Sequence, residues 1–142
     1  MKKLICFFAV ATLFSCSKNE SEGRAKEILG TWHGVRTDFI VDGQPDPNSS
    51  RDGIYSVAFA YANGLEIFDD GTLKGLIKNF DNDLQMDVWI PTEYVSTWEL
   101  LNDTEVRLND LTYKLVLLTE NELVIQFESA NTIKELKLVK KE

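Results

Sequence analysis

Cysteine is nearly missing from this chain of 142 residues: there are two, Cys6 and Cys16, both close to the start. A domain built from later residues therefore has no disulfide and no cysteine-based metal site. Histidine is scarcer still. His33 alone cannot make a zinc centre without a cysteine or a second histidine. A serine-type triad would need His33 as its base, and nothing places a Ser and an Asp beside it. The sequence holds no Gly-x-Ser-x-Gly elbow, no His-Glu-x-x-His pair and no glycine-rich phosphate loop. Basic residues are outnumbered, 15 Lys and Arg against 23 Asp and Glu. That balance repels phosphate backbones and argues against a nucleic-acid partner. These absences point to a protein that is not an enzyme and has no cofactor or metal.

What is present begins at the N-terminus. Lys2 and Lys3 precede an apolar run from Leu4 to Phe14, and Leu13-Phe14-Ser15-Cys16 closes it. A basic start, a short apolar segment and a small residue before the cut make residues 1–15 a signal peptide. Leu at −3, a small residue at −1 and Cys at +1 are what a lipobox requires, with the Cys16 thiol taking a diacylglycerol thioether. A membrane-spanning anchor is the weaker alternative, because such a helix needs about 20 apolar residues. In an ordinary secretory signal Cys16 would be incidental. At about 0.8 kcal/mol per buried CH₂, two or three acyl chains such as palmitate hold a protein on a membrane permanently. Residues 16–28 are polar and charged up to Ala25 and read as a flexible tether. Loss of Lys2 and Lys3 with the signal leaves 127 residues of formal charge −10. This is enough chain for one domain with one core.

From residue 29 to 142 the pattern is strand after strand, with period-two alternation and Gly, Asn and Asp as punctuation. Candidate strands appear at Thr31–Val41, Ile54–Ala62, Leu65–Asp69, Thr72–Lys78, Leu84–Ile90, Tyr94–Leu101, Glu105–Leu108, Thr112–Thr119, Leu123–Glu128 and Ile133–Lys140. Asp42–Gly53 and Asn79–Asp83 read as polar loops. Asn63-Gly64 is a strong hairpin signal because both central residues of a type I′ turn need φ > 0. Asp70-Gly71 marks another tight turn, and Pro91 breaks the strand before it. Short connections imply antiparallel neighbours. Charged and apolar residues fall on opposite faces, as with Leu136 and Leu138 against Glu135 and Lys137. The expected fold is all-β, an up-and-down meander that closes into a barrel of eight or nine strands to bury its dry face and remove its edges.

Leu29-Gly30-Thr31-Trp32 resembles the Gly-x-Trp motif that opens the first strand of lipocalin-like proteins. Leu65–Leu73 is similar to that family's Asp-Gly hairpin, Ser96–Leu108 to its Trp-then-turn hairpin, and Thr112–Phe127 to its Tyr-containing strand and the next. Behind a lipobox, this order resembles the small lipocalin-like lipoproteins of Gram-negative bacteria over nearly the whole domain. The resemblance implies Gly30 and Trp32 at the closed base of the barrel. It also implies an outer-membrane location, and Glu20 and Glu22 resemble acidic signals that carry some lipoproteins to the cell surface. Two features depart from the family. The Thr-Asp-x-x-Tyr motif of larger lipocalins is missing, and no Arg follows Arg107 to stack on Trp32, with Lys137 a candidate stand-in.

Other features have ordinary explanations. Asp81, Asp83 and Asp87 suggest a calcium loop, but Met86 and Thr92 replace its required Gly and Glu. Asp69-Asp70 could pair as acid and base, yet Asp before Gly71 is what a tight turn demands. Ile54–Ala62 has an aromatic face that includes Phe59 and Tyr61, and an opposite face rich in alanine. If the aromatics point inward they join Trp98, Tyr113 and Phe127 and fill a small barrel; if the alanines do, room is left for an apolar ligand. Two roles follow from this reading. One is a lipid-anchored barrel that binds a small apolar or amphipathic ligand. The other is a structural surface lipoprotein whose acidic face and Asp42–Gly53 loop contact an envelope protein or polymer. Replacing the anchor residue, Cys16→Ser, is expected to abolish palmitate labelling in a Gram-negative host and leave a larger, uncleaved precursor. Labelling that survives the change would refute lipidation at Cys16.

Overall fold

A computed structural model describes residues 23–53, 62–130 and 132–142. Among the described residues there are ten strands: β1 (Gly30–Val41), β2 (Gln44–Pro45), β3 (Arg51–Asp52), β4 (Gly64–Ile67), β5 (Thr72–Asp81), β6 (Met86–Asn102), β7 (Glu105–Leu108), β8 (Leu111–Leu118), β9 (Glu122–Ser129) and β10 (Thr132–Lys141). Eight of them, β1 and β4 to β10, pair antiparallel in sequence order, and β10 returns to β1. The closing ladder runs from Thr31 opposite Lys141 to Ile40 opposite Ile133. The meander is therefore a closed barrel. The two short strands β2 and β3 add to the part of β1 that extends past β4.

Turn chemistry fixes most of the register. At Asp70-Gly71 the glycine has φ 82°, and the Asp70 carboxylate accepts hydrogen bonds from Thr72 N at 2.9 Å and Thr72 Oγ1 at 2.6 Å. Among the described residues the two-residue turn with both φ values positive is Asp42-Gly43, at 51° and 77°, which joins β1 to β2 inside the stretch read as loop. Asn63-Gly64 is not such a turn. Gly64 starts β4, opposite His33 and Leu76, while Asn63 N donates to Leu76 O at 2.6 Å and its carbonyl accepts from Gly34 N at 2.9 Å. Ladder partners on both sides prevail over the local preference. The proposed strand before it lies outside the described residues except for Ala62, which is buried.

The loop expected at Asn79–Asp83 is shorter, since β5 continues to Asp81 and the turn falls at residues 82–85. Pro91 does not end a strand: β6 runs through it for 17 residues. Along residues 86–97 β6 pairs with β5, while β7 takes up only residues 98–102. Among the described residues no second strand requires the N–H that proline lacks. Opposite Lys74 to Leu76 the register shifts, because three β6 residues face Gly75 alone.

One face of each barrel strand points inward. Trp32, Leu73, Val106, Leu108, Tyr113, Leu123, Ile125 and Leu138 are almost wholly buried there. A bulge between Leu115 and Leu117 turns both Val116 and Leu117 outward before Leu118 resumes the inner face. The tether expectation needs correcting at its end. Residues 23–28 are helical and cap one end of the barrel, with Ile28 fully buried and Arg24 donating to the carbonyl of Asp103. At this closed end Trp32 Nε1 donates to Ile28 O at 2.7 Å.

Beyond β4, the β5–β6 ribbon stands clear of the barrel with Phe80, Leu84 and Met86 exposed at its tip. Trp89 folds back from it onto the outer wall, stacked on His33 with centroids 3.6 Å apart and planes at 16°. Gly64 leaves room for this. A Cβ there would lie 2.5 Å from the Trp32 carbonyl and 3.1 Å from the Trp89 ring. Gly64→Ala is accordingly expected to destabilise the protein by about 1–3 kcal/mol, the usual range for overpacking. A denaturant midpoint that stays unchanged would show the contact to be relaxed at no cost.

Candidate functional site

The end opposite the helix carries the β1–β2, β7–β8 and β9–β10 connections. A cleft of about 550 Å³ opens among them. Its apolar walls are Phe39 and Val41 from β1, Leu111 from β8 and Phe127 from β9, and the side chain of Lys134 enters from β10. Register explains the grouping. Phe39 faces Lys134 across the closing ladder, and Lys134 faces Phe127 on its other side. The Lys134 ammonium lies 5.6 Å from the Phe39 ring centroid. Burial holds its pKa below the ordinary lysine value. An ammonium that has lost part of its hydration, set among apolar walls, favours an anionic group attached to an apolar body.

Asp46 and Ser49 add a polar wall from the segment after β2. Hydrogen bonds from Ser49 Oγ at 2.6 Å and Asn48 N at 3.0 Å keep the Asp46 carboxyl below its usual range. The segment is pinned to β1, where Asp46 N donates to Phe39 O at 2.7 Å and Phe39 N to Ser50 Oγ at 3.3 Å. Beneath it, on the outer face, Asp38 is only 2% exposed. It accepts from Arg36 Nε at 2.7 Å and Lys137 Nζ at 3.0 Å. Burial pushes the Asp38 carboxyl up, but the bonds from Lys137 and Arg36 outweigh it and leave the pKa lowered. Lys137 is raised in return, chiefly by Asp38.

The residues singled out from sequence are dispersed. Phe59 and Tyr61, like Cys16, lie outside the described residues. Trp98 packs against the core away from the cleft, its Nε1 donating to Phe68 O at 2.6 Å. Tyr113 is fully buried, with its ring centroid 5.6 Å from that of Phe127. Of the three that are described, Phe127 lines the cleft. Gly30 sits at the closed end with φ 118°, where a Cβ would come within 2.9 Å of Lys140. Lys137 is not the cation on Trp32: Lys140 Nζ stands 5.0 Å from that ring centroid and donates to Glu27 O at 2.9 Å.

Sequence reasoning missed Lys134, Lys140 and Phe39. The signal was available, because the alternation that puts Leu136 and Leu138 inward puts Lys134 and Lys140 on the same face. His33 borders a second cleft of about 570 Å³ on the outer wall, with Trp89, Lys141 and the Lys78–Asp87 ion pair at 2.7 Å. Burial first, then Lys141 and Lys78, depress its pKa, so it stacks there as a neutral ring. Among the described residues no group of three His, Cys, Asp or Glu could hold a metal ion.

Compared with known proteins, the chain matches no family model and no curated protein. The site's properties are read from its own geometry. A carboxyl depressed in the folded state adds stability that is present above its unfolded pKa and lost as pH falls through the folded one. Asp38 thus contributes fully at neutral pH, and its share disappears below the ordinary value of 3.8. Asp38→Asn is expected to lower the melting temperature at pH 7 and flatten its decline on acidification. Melting curves between pH 7 and 2.5 that coincide for the two proteins would overturn this role.

Proposed function

We propose that this chain is a non-enzymatic cell-envelope lipoprotein, similar to the lipocalin-like lipoproteins, whose barrel holds a small amphipathic molecule at its open end. The single observation that carries the reading is the cleft beside Lys134. Apolar walls from β1, β8 and β9 suit a hydrocarbon body, and the partly buried ammonium suits an acidic head. A closed barrel whose other end is capped by the helix over Trp32 and whose inner face is packed with Leu73, Val106 and Tyr113 leaves this end for a ligand among the described residues. Anchoring at Cys16, with the outer membrane as its seat, is the sequence reading that goes with it.

Native mass spectrometry of the protein taken from the cells that make it is expected to show a bound small molecule of acidic, amphipathic character. The anionic fluorophore 1-anilinonaphthalene-8-sulfonate should bind and be displaced by that molecule, and Lys134→Met should weaken its binding about tenfold, the equivalent of one charge-assisted contact. Ligand-free protein together with crosslinks to an envelope protein through the exposed ribbon tip at Leu84 would reverse the reading in favour of a structural, interacting lipoprotein.

A further inference from the structure

Register assembles the outer-wall cleft around His33. His33 stands opposite Gly64 on β4 and Val139 on β10, and Lys141 follows Val139 on the same face. Gly64 presents no side chain there, so Trp89 of the ribbon comes down onto the His33 ring. Trp89 brings its own neighbours: Lys78 lies opposite it on β5, and Asp87 shares its face of β6. All of these side chains line the cleft of about 570 Å³.

Charge and hydrogen bonding in the cleft are out of balance. Its two carboxylates are already matched, Asp87 with Lys78 at 2.7 Å and Asp52 with Arg36 at 3.5 Å. Lys141 is left over. It has no carboxylate partner among the described residues, in a chain with 23 acidic residues against 15 basic ones. The rings of His33 and Trp89 are half-buried, yet neither the imidazole nor the indole N–H has a hydrogen-bond partner among those residues. An ammonium without a counter-ion, beside two ring N–H groups, suits an oxyanion. We infer that this cleft is a second binding site, for a phosphate or sulfate group held by Lys141 beside the His33–Trp89 stack. It lies on the outer wall and does not depend on what the cleft at Lys134 holds. Burial, then Lys141 and Lys78, hold the pKa of His33 down. A bound anion offsets both ammoniums and favours protonation of the imidazole, so by reciprocity the anion binds more tightly once His33 is charged.

His33 is the only histidine of the chain, so in histidine-labelled protein its imidazole gives a single reporter for nuclear magnetic resonance. The full-length chain in a neutral detergent is titrated with sodium sulfate, with sodium chloride of equal ionic strength as the control. A separate arm mixes phosphatidylglycerol into the micelle. Sulfate is expected to move the His33 signal saturably and to raise the midpoint of its pH titration, with affinity about three- to tenfold higher when the imidazole is protonated. Lys141→Gln should weaken binding about tenfold. It should also raise the His33 midpoint without sulfate, since one of the charges that lower it is gone. A response to sulfate assigns the site to a soluble anion, and a response to phosphatidylglycerol alone assigns it to a lipid head group. No response to either, a sulfate response that chloride reproduces, or one that survives Lys141→Gln intact overturns the site.

Discussion

A sheet with one wet face and one dry face has two raw edges, and here a single ladder, β10 on β1, disposes of both. That closure shapes much of the rest. It lets short strands such as β4 and β7, four residues each, persist, because neither ends at a free edge of the barrel. It brings Trp32 under the end of β10. It also makes β1 a shared element, bound by β10 along most of its length, by β4 at its start and by β2 and β3 further on.

The inner face of β10 shows how one alternation produces two different chemistries. Leu136 and Leu138 are buried in the middle, and Lys134 and Lys140 bracket them. At the closed end Lys140 covers the indole of Trp32 and finds the Glu27 carbonyl, so its charge fastens the capping helix. At the open end Lys134 meets Phe39 and Phe127 among apolar walls. The two positions are alike in sequence and differ in what the opposite strands bring to them.

Much of the architecture was legible in local pattern: charged and apolar residues alternate through β7, β8 and β10, and Asp70-Gly71 turns where its chemistry says it should. The misreadings share a cause. Asn63-Gly64 carries a strong turn signal, but β1 and β5 both claim its backbone. Pro91 looks like a break, yet no second described strand pairs with β6 beside it. Residues 23–27 are too polar to order alone, and they gain a helix because Ile28 is buried in the core and Arg24 and the Glu27 carbonyl find partners 79 and 113 residues away in sequence. The cleft was least legible. Phe39, Leu111, Phe127 and Lys134 converge only after the barrel has closed, and no local window contains them.

The capping helix sets the direction of the molecule. Its first described residue, Gly23, lies at the plugged end, and a chain of seven residues reaches at most about 25 Å. A lipid on Cys16 would hold that plugged end near the bilayer and turn the cleft beside Lys134 toward the aqueous side. With both the anchor and the ligand as proposed, that molecule would arrive and leave through water or by hand-over from another carrier, and not by sliding sideways out of the bilayer.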